Sequence, residues 1–592
     1  DCPICDQGGE CDLQDQAIGY GFDRSRYEGN KRAVEDKYMG PLIKTMMTRC
    51  IHCTRCIRFA TEVAGVPELG ATGRGEEMEV GTYVGKALSS ELSGNMIDLC
   101  PVGALTSGPY AFTARSWELK NVESIDILDA VGSNIRVDYR GPEVMRVLPR
   151  LNEEVNEEWI SDKSRFAYDG LKRQRLDQPY VRHEGKLQPA SWPEAFEAVA
   201  AALKGADTDA VAAIAGDLAD CEAMTALKDL MTAIGSPHLD CRQDGAQLDP
   251  SVRAGYIFNT TIAKIEQANA CLLIGTNPRR EAAVLNARLR KRSVMGEFPV
   301  GLIGPRADLT YDYEYLGDNV SGLAKIAAGR HGFSKVLKNV ERSMLIVGQG
   351  ALARDDGAAI LAFVRRVAES RGMINKSQGW NGFNVLHTAA ARVGGLDLKF
   401  VPGKGGLDTN GILNGASSSR IKVVYLLGAD EINTERLGDA FVIYQGHHGD
   451  AGAHRADVIL PGAAYTEKNA TYVNTEGRVQ LARLAVFPPG KARADWTILR
   501  ALSDVLGKTL PYDNLRQVRA RMVEINANFM NVDEAMAAPW GEFGEAGEVS
   551  NQAFTSPVEN FYMTDPISRA SATMAKCKDI FVNGSEKTGT DG

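Results

Sequence analysis

The chain has 592 residues, of which 44% are hydrophobic and 24% charged, as in an ordinary globular protein. This length predicts several domains, and a formal net charge of −9 argues against nucleic acid as the partner. No apolar run approaches the roughly 20 residues that a membrane-spanning helix needs.

The first motif is a group of three cysteines at the very start of the chain. Cys2, Cys5 and Cys11 have the spacing C-x2-C-x5-C. Thiolates close together on one loop are the usual ligands of iron–sulfur clusters and of structural zinc. Three thiols leave one iron of a four-iron cluster without a protein ligand, so this triad alone is weak evidence for a cluster.

The second motif is a set of four cysteines. Cys50, Cys53 and Cys56 have the spacing C-x2-C-x2-C, and Cys100 follows with Pro101 directly after it. A thiol followed by proline is the usual closing ligand of a [4Fe–4S] cluster. Zinc, which prefers paired C-x2-C knuckles, is the less favoured alternative. Disulfides are disfavoured because nothing indicates secretion, and the scattered remaining cysteines are typical of a reducing compartment: Cys221, Cys241, Cys271 and Cys577.

The front of the chain resembles a known family in four runs, which are residues 1–16, 20–27, 50–58 and 95–105. They resemble the large iron–sulfur subunit of respiratory complex I, which is called the 75 kDa subunit in mitochondria and has an equivalent in bacteria. The resemblance extends to the C-terminus, although its signature motifs lie mainly in the first 110 residues.

This resemblance implies two [4Fe–4S] clusters on the chain and no catalytic residue. In that family a histidine four residues before the first cysteine completes the first cluster, and a [2Fe–2S] domain precedes both. Neither is present here, so we expect an N-terminally truncated chain. The implied ligands are Cys2, Cys5 and Cys11 for the first cluster, and Cys50, Cys53, Cys56 and Cys100 for the second.

Alternating polar and apolar residues predict three strands between residues 117 and 175. The candidate strands are 124–129, 134–138 and 144–148, with a turn at 140–142. This region resembles the small β domain that opens molybdopterin oxidoreductases, which in active members often holds its own cluster. Residues 101–220 contain no cysteine, so we expect that cluster to be lost.

From about residue 190, helices alternate with short apolar strands. This order predicts doubly wound, mainly parallel α/β domains. The candidate helices are 192–203 and 220–234, and the candidate strands are 210–214, 270–274, 300–303, 344–347, 423–427, 441–444 and 457–460. The fold class is therefore a multidomain α/β protein: a cysteine-rich iron–sulfur region, a small β domain and α/β domains of molybdopterin-oxidoreductase type. The predicted boundaries are 1–21, 22–116, 117–175, 176–535 and 536–592.

Several motifs in the α/β region are weaker. Residues 275–280 with Arg288, and 456–480, resemble pterin-binding stretches, but no residue stands out as a metal ligand, and we expect no molybdopterin. The run 348–350 lacks the third glycine of a dinucleotide fingerprint and predicts a tight turn. Three histidines at 447, 448 and 454 lie in a glycine-rich stretch that predicts a surface loop. Residues 565–576 predict a docking helix before a free end at 585–592.

The resemblance, together with the two cysteine motifs, implies an electron-transfer subunit of the proton-translocating NADH–quinone oxidoreductase. The resemblance implies partners in the peripheral arm, chiefly the flavin-bearing NADH subunit and the subunits leading to quinone. It implies a peripheral location on the cytoplasmic side of the bacterial inner membrane or the matrix side of the mitochondrial one. Two alternatives remain open at this point: a molybdenum-dependent, NAD-linked formate dehydrogenase subunit, and a mainly structural scaffold subunit.

Overall fold

A computed structural model describes residues 1–82 and 85–584, so the predicted free end at 585–592 lies outside the described residues. The front of the chain consists of short elements joined by loops. They are β1 (Ile43–Thr45), β2 (Leu69–Thr72), β3 (Glu79–Thr82), β4 (Leu105–Ser107), α1 (Asp12–Tyr20), α2 (Arg55–Arg58), a π-helix (Phe59–Ala64) and α3 (Asn95–Leu99).

Strands β1 and β4 close the loop that separates the two parts of the second cysteine motif. They pair antiparallel, with Ile43 opposite Ser107 and Thr45 opposite Leu105. One further backbone bond, from the Met46 amide to the Ala104 carbonyl at 2.9 Å, continues the pairing. Because β1 leads into Cys50 and β4 follows Cys100, this pairing places the two cysteine segments side by side.

The small β domain is an antiparallel meander, as its alternating sequence predicts. It contains β5 (Lys120–Ile125), β6 (Asn134–Arg140) and β7 (Glu143–Pro149), and α4 (Asp162–Phe166) follows it. Val137 of β6 lies opposite Val147 of β7, and both are fully or almost fully buried. The first strand begins four residues earlier than expected and ends at Ile125, so the prediction of a strand over 126–129 is wrong.

Strands and helices alternate through the rest of the chain. The strands are β8 (Tyr180–His183), β9 (Lys186–Pro189), β10 (Val211–Ala215), β11 (His238–Asp240), β12 (Ala270–Ile274), β13 (Val300–Ile303), β14 (Glu314–Gly317), β15 (Ser343–Gly348), β16 (Ile374–Asn375), β17 (Trp380–Asn381), β18 (Phe383–Leu386), β19 (Val423–Leu427), β20 (Phe441–Gly446), β21 (Val458–Pro461), β22 (Ala470–Val473) and β23 (Val479–Ala482).

The helices of this region cover both faces of its sheets. They are α5 (Trp192–Gly205), α6 (Cys221–Ile234), α7 (Pro278–Glu281), α8 (Ala283–Val294), α9 (Val320–Ala327), α10 (Gly332–Asn339), α11 (Gln349–Leu352), α12 (Gly357–Ser370), α13 (Ala391–Asp397), α14 (Thr409–Ser417), α15 (Ala451–Arg455), α16 (Asp495–Val505), α17 (Leu515–Ile525), α18 (Pro566–Ala570) and α19 (Ala572–Phe581).

Helices α5 and α6 show how the local sequence sets their ends. The Ser191 hydroxyl accepts from the Glu194 amide at 3.4 Å while the Glu194 carboxylate accepts from the Ser191 amide at 2.7 Å, which is a capping box. The Asp220 carboxylate caps α6 at the Ala223 amide. Gly235 ends α6 with φ at +98°, a left-handed conformation that costs glycine little.

Two parallel sheets form the core of the α/β region and confirm its predicted doubly wound character. One has the order β11-β10-β19-β20-β21, extended by the antiparallel pair β8-β9, and the other has the order β14-β13-β12-β15-β18. Their central strands are fully buried, as in β10 and β12. In such folds the loops after the strand carboxyl ends meet at one edge of each sheet, where ligands usually bind.

The C-terminal helices pack against the front of the chain. Met574 and Cys577 of α19 are fully buried in the same hydrophobic cluster as Phe59, Met96 and Phe166. The sequence prediction of a docking helix in this segment agrees with this arrangement. Among the described residues, no helix has both the length and the apolar character needed to cross a membrane.

Two of the weaker sequence predictions have different outcomes. The glycine pair at 348 and 350 is a tight strand-to-helix turn, as expected: a Cβ on Gly350 would lie 2.0 Å from the Thr555 carbonyl oxygen. The expected surface loop at 447–454 is wrong for His448, which is fully buried and contacts the Gly170 carbonyl at 2.9 Å. Its pKa is lowered to about 4, chiefly by burial.

Candidate metal centre

The Cys50 loop turns sharply because two of its residues adopt left-handed backbone conformations. His52 has φ of +54° and Thr54 has φ of +61°, angles that non-glycine residues adopt only where the surrounding structure holds them. The Cys50 amide donates to the Met47 carbonyl at 3.0 Å and closes the preceding turn. The helix α2 then begins directly after Thr54 and carries Cys56.

The four cysteines of the second motif converge on one pocket. Cys50, Cys53, Cys56 and Cys100 all line one small pocket, whose other walls are largely apolar side chains such as Met47, Val80 and Leu105. The sequence predicted this grouping, and the β1–β4 pairing explains it. Apolar walls exclude water from thiolate sulfurs and lower the local dielectric constant.

Backbone amides face the sulfurs of this pocket. The His52 amide donates to the Cys50 sulfur at 3.4 Å, the Ile57 amide contacts Cys56, and three amides after Cys100, those of Val102, Ala104 and Leu105, stabilise its thiolate form. Amides that point at sulfur are the donors that set the potential of a thiolate-bound cluster. The loop therefore supplies both ligands and tuning groups.

Burial opposes ionisation of three thiols of this pocket, those of Cys50, Cys56 and Cys100, when no cation is bound. It raises the pKa of Cys56 to about 12, and the neighbouring charge of Cys100 contributes to this rise. Burial likewise raises the pKa of Cys50 and Cys100. Four thiolates in one apolar pocket are stable only beside positive charge, which the iron ions of a cluster provide.

A cluster and a single zinc ion require different spacings of the four thiols. Zinc would need four sulfurs at about 2.3 Å from one point. Within 1–82 and 85–584, no three His, Cys, Asp or Glu side chains are placed to hold one metal ion. In a [4Fe–4S] cluster each thiolate binds a different iron, so the sulfurs stand farther apart. The residues of the second motif supply the four thiols that such a cluster needs.

The first cysteine triad lies on a separate loop. Cys2 begins a short 3₁₀ turn in which the Cys5 amide donates to the Cys2 carbonyl at 3.3 Å, and Cys11 caps α1 by accepting from the Gln14 amide at 3.4 Å. Cys5 and Cys11 are buried, whereas Cys2 is exposed. The loop thus presents two thiols inward and one toward the surface.

Arg115 positions this first loop, and sequence reasoning missed it. Its guanidinium donates to the carbonyls of Pro3, at 2.8 Å, and Cys5. Arg49 also contacts this loop, because its guanidinium pairs with Asp1 at 3.2 Å. No spacing rule links position 115 to residues 3 and 5, because the contact forms only when the chain folds back.

The two cysteine sites share a wall of residues. The Cys11 thiol donates to the Pro101 carbonyl at 3.5 Å, and the Leu13 amide donates to the same oxygen at 3.3 Å. Gly103 closes the gap: a Cβ there would lie 2.1 Å from the Cys5 sulfur. Only glycine allows this approach, which brings the segment after Cys100 against two of the three thiols of the first loop, those of Cys5 and Cys11.

Comparison with known proteins shows which family shares this arrangement. Over 98% of its length the chain is 52% identical to the NADH dehydrogenase (ubiquinone) iron-sulfur protein 1 of Solanum tuberosum, of which it covers 78%. It is 50% identical to the 75 kDa subunit of NADH-ubiquinone oxidoreductase of Reclinomonas americana, covering 86% of it. It is 51% identical to the 78 kDa subunit of the Neurospora crassa enzyme, covering 80% of it.

The chain belongs to the 75 kDa iron–sulfur subunit family of NADH–quinone oxidoreductase. Family models match in chain order along this subunit. They are the NADH-ubiquinone oxidoreductase-G iron-sulfur binding region (1–26), the ferredoxin-like domain of NADH-quinone oxidoreductase subunit 3 (40–106), the NDSU1/NuoG-like 4Fe-4S domain (119–169), molybdopterin oxidoreductase (175–505) and the C-terminal domain of the same NADH-ubiquinone oxidoreductase subunit (530–577).

These matches confirm the resemblance and the fold class that the sequence predicted. The subunit has 4Fe-4S-binding domains ahead of a region of molybdopterin-oxidoreductase type. The model matched at 119–169 is described as a 4Fe-4S domain, yet this stretch of the subunit contains no cysteine. A cluster there would have no thiolate ligand.

The residues of the α/β region do not fit a molybdopterin. In the pterin-like stretches, the arginines that would meet its phosphates are already neutralised by carboxylates of the same subunit. Arg279 pairs with Glu91 at 2.8 Å, and Arg288 pairs with Glu266 at 3.1 Å. Arg478 pairs with Glu476 at 2.7 Å. An anionic pterin would have to break these ion pairs.

Proposed function

We propose that the chain is an electron-transfer subunit of the NADH–quinone oxidoreductase peripheral arm with two [4Fe–4S] groups and no molybdopterin. Such a group, when bound, takes up and releases one electron at a time. The proposed ligands are Cys50, Cys53, Cys56 and Cys100 for one group, and Cys2, Cys5 and Cys11 for three irons of the other.

The observation that carries this proposal is the contact between the two cysteine loops. The Cys11 thiol meets the carbonyl of Pro101, the residue that follows Cys100. The Leu13 amide, two residues after Cys11, donates to the same oxygen at 3.3 Å, so this contact does not depend on the thiol proton and keeps a ligand of one site close to a ligand of the other. A pair of redox groups held this close suits a relay, whereas a scaffold subunit would not need the contact.

The chain's own residues would bind, orient and insulate the redox groups. Thiolates supply the ligands, the amides after Cys100 face its sulfur, and the apolar walls of the second pocket limit water. Arg115 fixes the first loop through its carbonyls. No side chain is required as an acid, a base or a nucleophile, because the redox groups carry the electron.

The proposal extends to partners, location and domain division. The chain would receive electrons from the flavin-bearing NADH subunit and deliver them to the subunits that lead to quinone. It would lie peripherally on the cytoplasmic side of a bacterial membrane or the matrix side of a mitochondrial one. We retain the divisions 1–21, 22–116, 117–175, 176–535 and 536–592 as proposed boundaries.

The test compares two cysteine substitutions, one at a proposed ligand and one at a cysteine outside both motifs. Each variant is reduced and measured by electron paramagnetic resonance. Cys53→Ala should lose the signal of the second group and about four irons per chain. Cys577→Ala, which removes a buried thiol of α19, should keep both signals. An unchanged spectrum in Cys53→Ala would refute the ligand assignment.

A further inference from the structure

A surface groove of about 420 Å³ lies where three parts of the chain meet. One wall is the π-helix Phe59–Ala64, which contributes Glu62 and Val63. A second wall is the turn over residues 153–159, which follows β7. The third is the last part of α8 with the residue after it. The groove is therefore formed jointly by the cysteine region, the small β domain and the α/β body.

The floor of this groove is apolar and open to solvent. Val294 and Met295, at the end of α8, are 63% and 59% exposed. Val63 and Trp159 are half-buried beside them, and the ring centroid of Trp159 lies 5.0 Å from that of Phe59. Small-molecule pockets enclose most of their ligand, whereas exposed apolar surface with a polar rim is typical of protein–protein contact.

The rim of the groove carries net negative charge. Four glutamates and one lysine line it, which are Glu62, Glu153, Glu157, Glu158 and Lys291. The lysine is held by Glu157 at 2.5 Å and by Glu266 at 2.9 Å. In the part of the chain that the structure describes, no basic side chain lies within 4.0 Å of the carboxylates of Glu62, Glu153 or Glu158. Three carboxylates of the rim are thus left for a partner.

Two nearby arginines do not line the groove and are engaged elsewhere. Arg288 pairs with Glu266 at 3.1 Å and donates to the Glu153 carbonyl at 2.7 Å. Arg290 donates to the Glu62 carbonyl at 3.0 Å. Both contact the backbone of the rim rather than its carboxylates. A positively charged partner would therefore be attracted to the rim, and salt would weaken the attraction.

The π-helix connects the groove to the second cysteine site. Helix α2, which carries Cys56, continues directly into the π-helix at Phe59. Such helices are rare and occur frequently at functional sites. A segment bound against Glu62 and Val63 would contact the helical extension of a proposed ligand loop.

We propose that this groove docks a positively charged, amphipathic helix of a neighbouring subunit. Its apolar residues would lie against Trp159, Val294 and Met295, and its lysines or arginines beside the glutamate rim. Helices that bind in grooves use apolar residues three or four positions apart. The lining residues belong to helices and a turn, which offer no edge for an added strand. The proposal rests on the proposed function as a subunit of a larger enzyme and adds the surface and the kind of partner.

The first test is photo-cross-linking in the assembled enzyme. The photoreactive residue p-benzoylphenylalanine replaces Met295, and mass spectrometry identifies the cross-linked peptide. We expect one segment of a neighbouring subunit, with net positive charge and apolar residues three or four positions apart. The same replacement at Asp355, which is exposed and does not line the groove, should not capture that segment.

The second test titrates a synthetic copy of the captured segment onto the full chain. The double variant Glu153→Lys/Glu158→Lys should weaken binding at least about tenfold, because two attractions become repulsions. High salt should weaken binding to the unmodified chain. Glu197→Lys, at an exposed position of α5, is the matched control and should leave the affinity unchanged.

Three results would overturn the proposal. One is a Met295 position that cross-links to no neighbouring subunit, and another is a captured segment with net negative charge. The third is an affinity that Glu153→Lys/Glu158→Lys leaves unchanged. Iron content and paramagnetic signals should be the same in these variants as in the unmodified chain, so a failure of docking is distinct from a failure of the proposed electron transfer.

Discussion

The thiol of Cys11 lies 3.5 Å from the carbonyl oxygen of Pro101, so a ligand of the first cysteine site contacts the residue beside a ligand of the second. The two motifs are separated by most of the front of the chain in sequence. Their contact depends on the β1–β4 pairing, which places the Cys100 segment beside the Cys50 loop. The opposite side of the Cys100 segment then faces the first triad. The front of the chain is therefore one unit with two adjoining sites.

Gly103 should be essential to that contact. A methyl group at this position would collide with the Cys5 sulfur, so Gly103→Ala should displace Cys5 and lower iron content by about four per chain, with the second site's signal kept. Gly70→Ala, where the added carbon meets nothing within 4 Å, is the matched control. If Gly103→Ala contained as much iron as the unmodified chain, the contact between the two loops would not be needed for iron binding.

Arg115 should hold the first loop closed. Because its guanidinium donates to the carbonyls of Pro3 and Cys5, Arg115→Gln should speed amide exchange in residues 2–11. We expect about tenfold, since a hydrogen bond to a charged group contributes roughly 1.5–3 kcal/mol. Arg516→Gln, at an exposed position, is the control. Equal amide exchange rates in residues 2–11 of both variants would show that Arg115 does not position the first loop.

Asp162 should make stability depend on pH. It accepts from the Ser93 hydroxyl and the Gly94 amide, both at 2.6 Å, next to the helix that leads to Cys100. Burial raises its pKa from 3.8 to about 6. The folded state then holds the proton more tightly than the unfolded state. Protonation of Asp162 therefore adds on the order of 3 kcal/mol to the free energy of unfolding. This stabilisation is complete below about pH 4 and is lost as the pH rises through 6.

Denaturant titrations of Asp162→Asn would measure this contribution. The substitution keeps the shape of the side chain and removes its ionisation, so the fall in unfolding free energy between pH 4 and 7 should shrink relative to the unmodified chain. Asp355→Asn, at an exposed aspartate, should leave the pH dependence of the unfolding free energy unchanged. If Asp162→Asn showed the same pH dependence of the unfolding free energy as the unmodified chain, the raised pKa of Asp162 would be contradicted.

Removal of iron should loosen the front of the chain and leave the α/β body folded. The second pocket holds four partly buried thiols that bound iron would tie together, whereas the parallel sheets have their own hydrophobic cluster. Hydrogen exchange after chelation should increase in residues 40–106 and stay slow in β10 and β12. Loss of protection in those central strands as well would show that the body depends on the metal sites.

Local features of the sequence predicted much of this structure. Cys50, Cys53, Cys56 and Cys100 are grouped as their spacing indicated, and the strand at 270–274 has the bounds that its apolar run predicted. What the sequence could not supply depends on distant parts of the chain. Each of three features forms only when distant segments of the chain meet, which no local pattern encodes. They are the close approach of Gly103 to Cys5, the hydrogen bonds of Arg115 to the first loop and the burial of His448.

The measurement that tests the central claim most directly is the iron and molybdenum content of the full chain purified without oxygen. The account predicts roughly four to eight irons per chain, according to whether the first triad is filled, and no molybdenum. Molybdenum near one per chain would contradict it, because the α/β body would then hold the cofactor of a dehydrogenase rather than arginines paired with their own carboxylates.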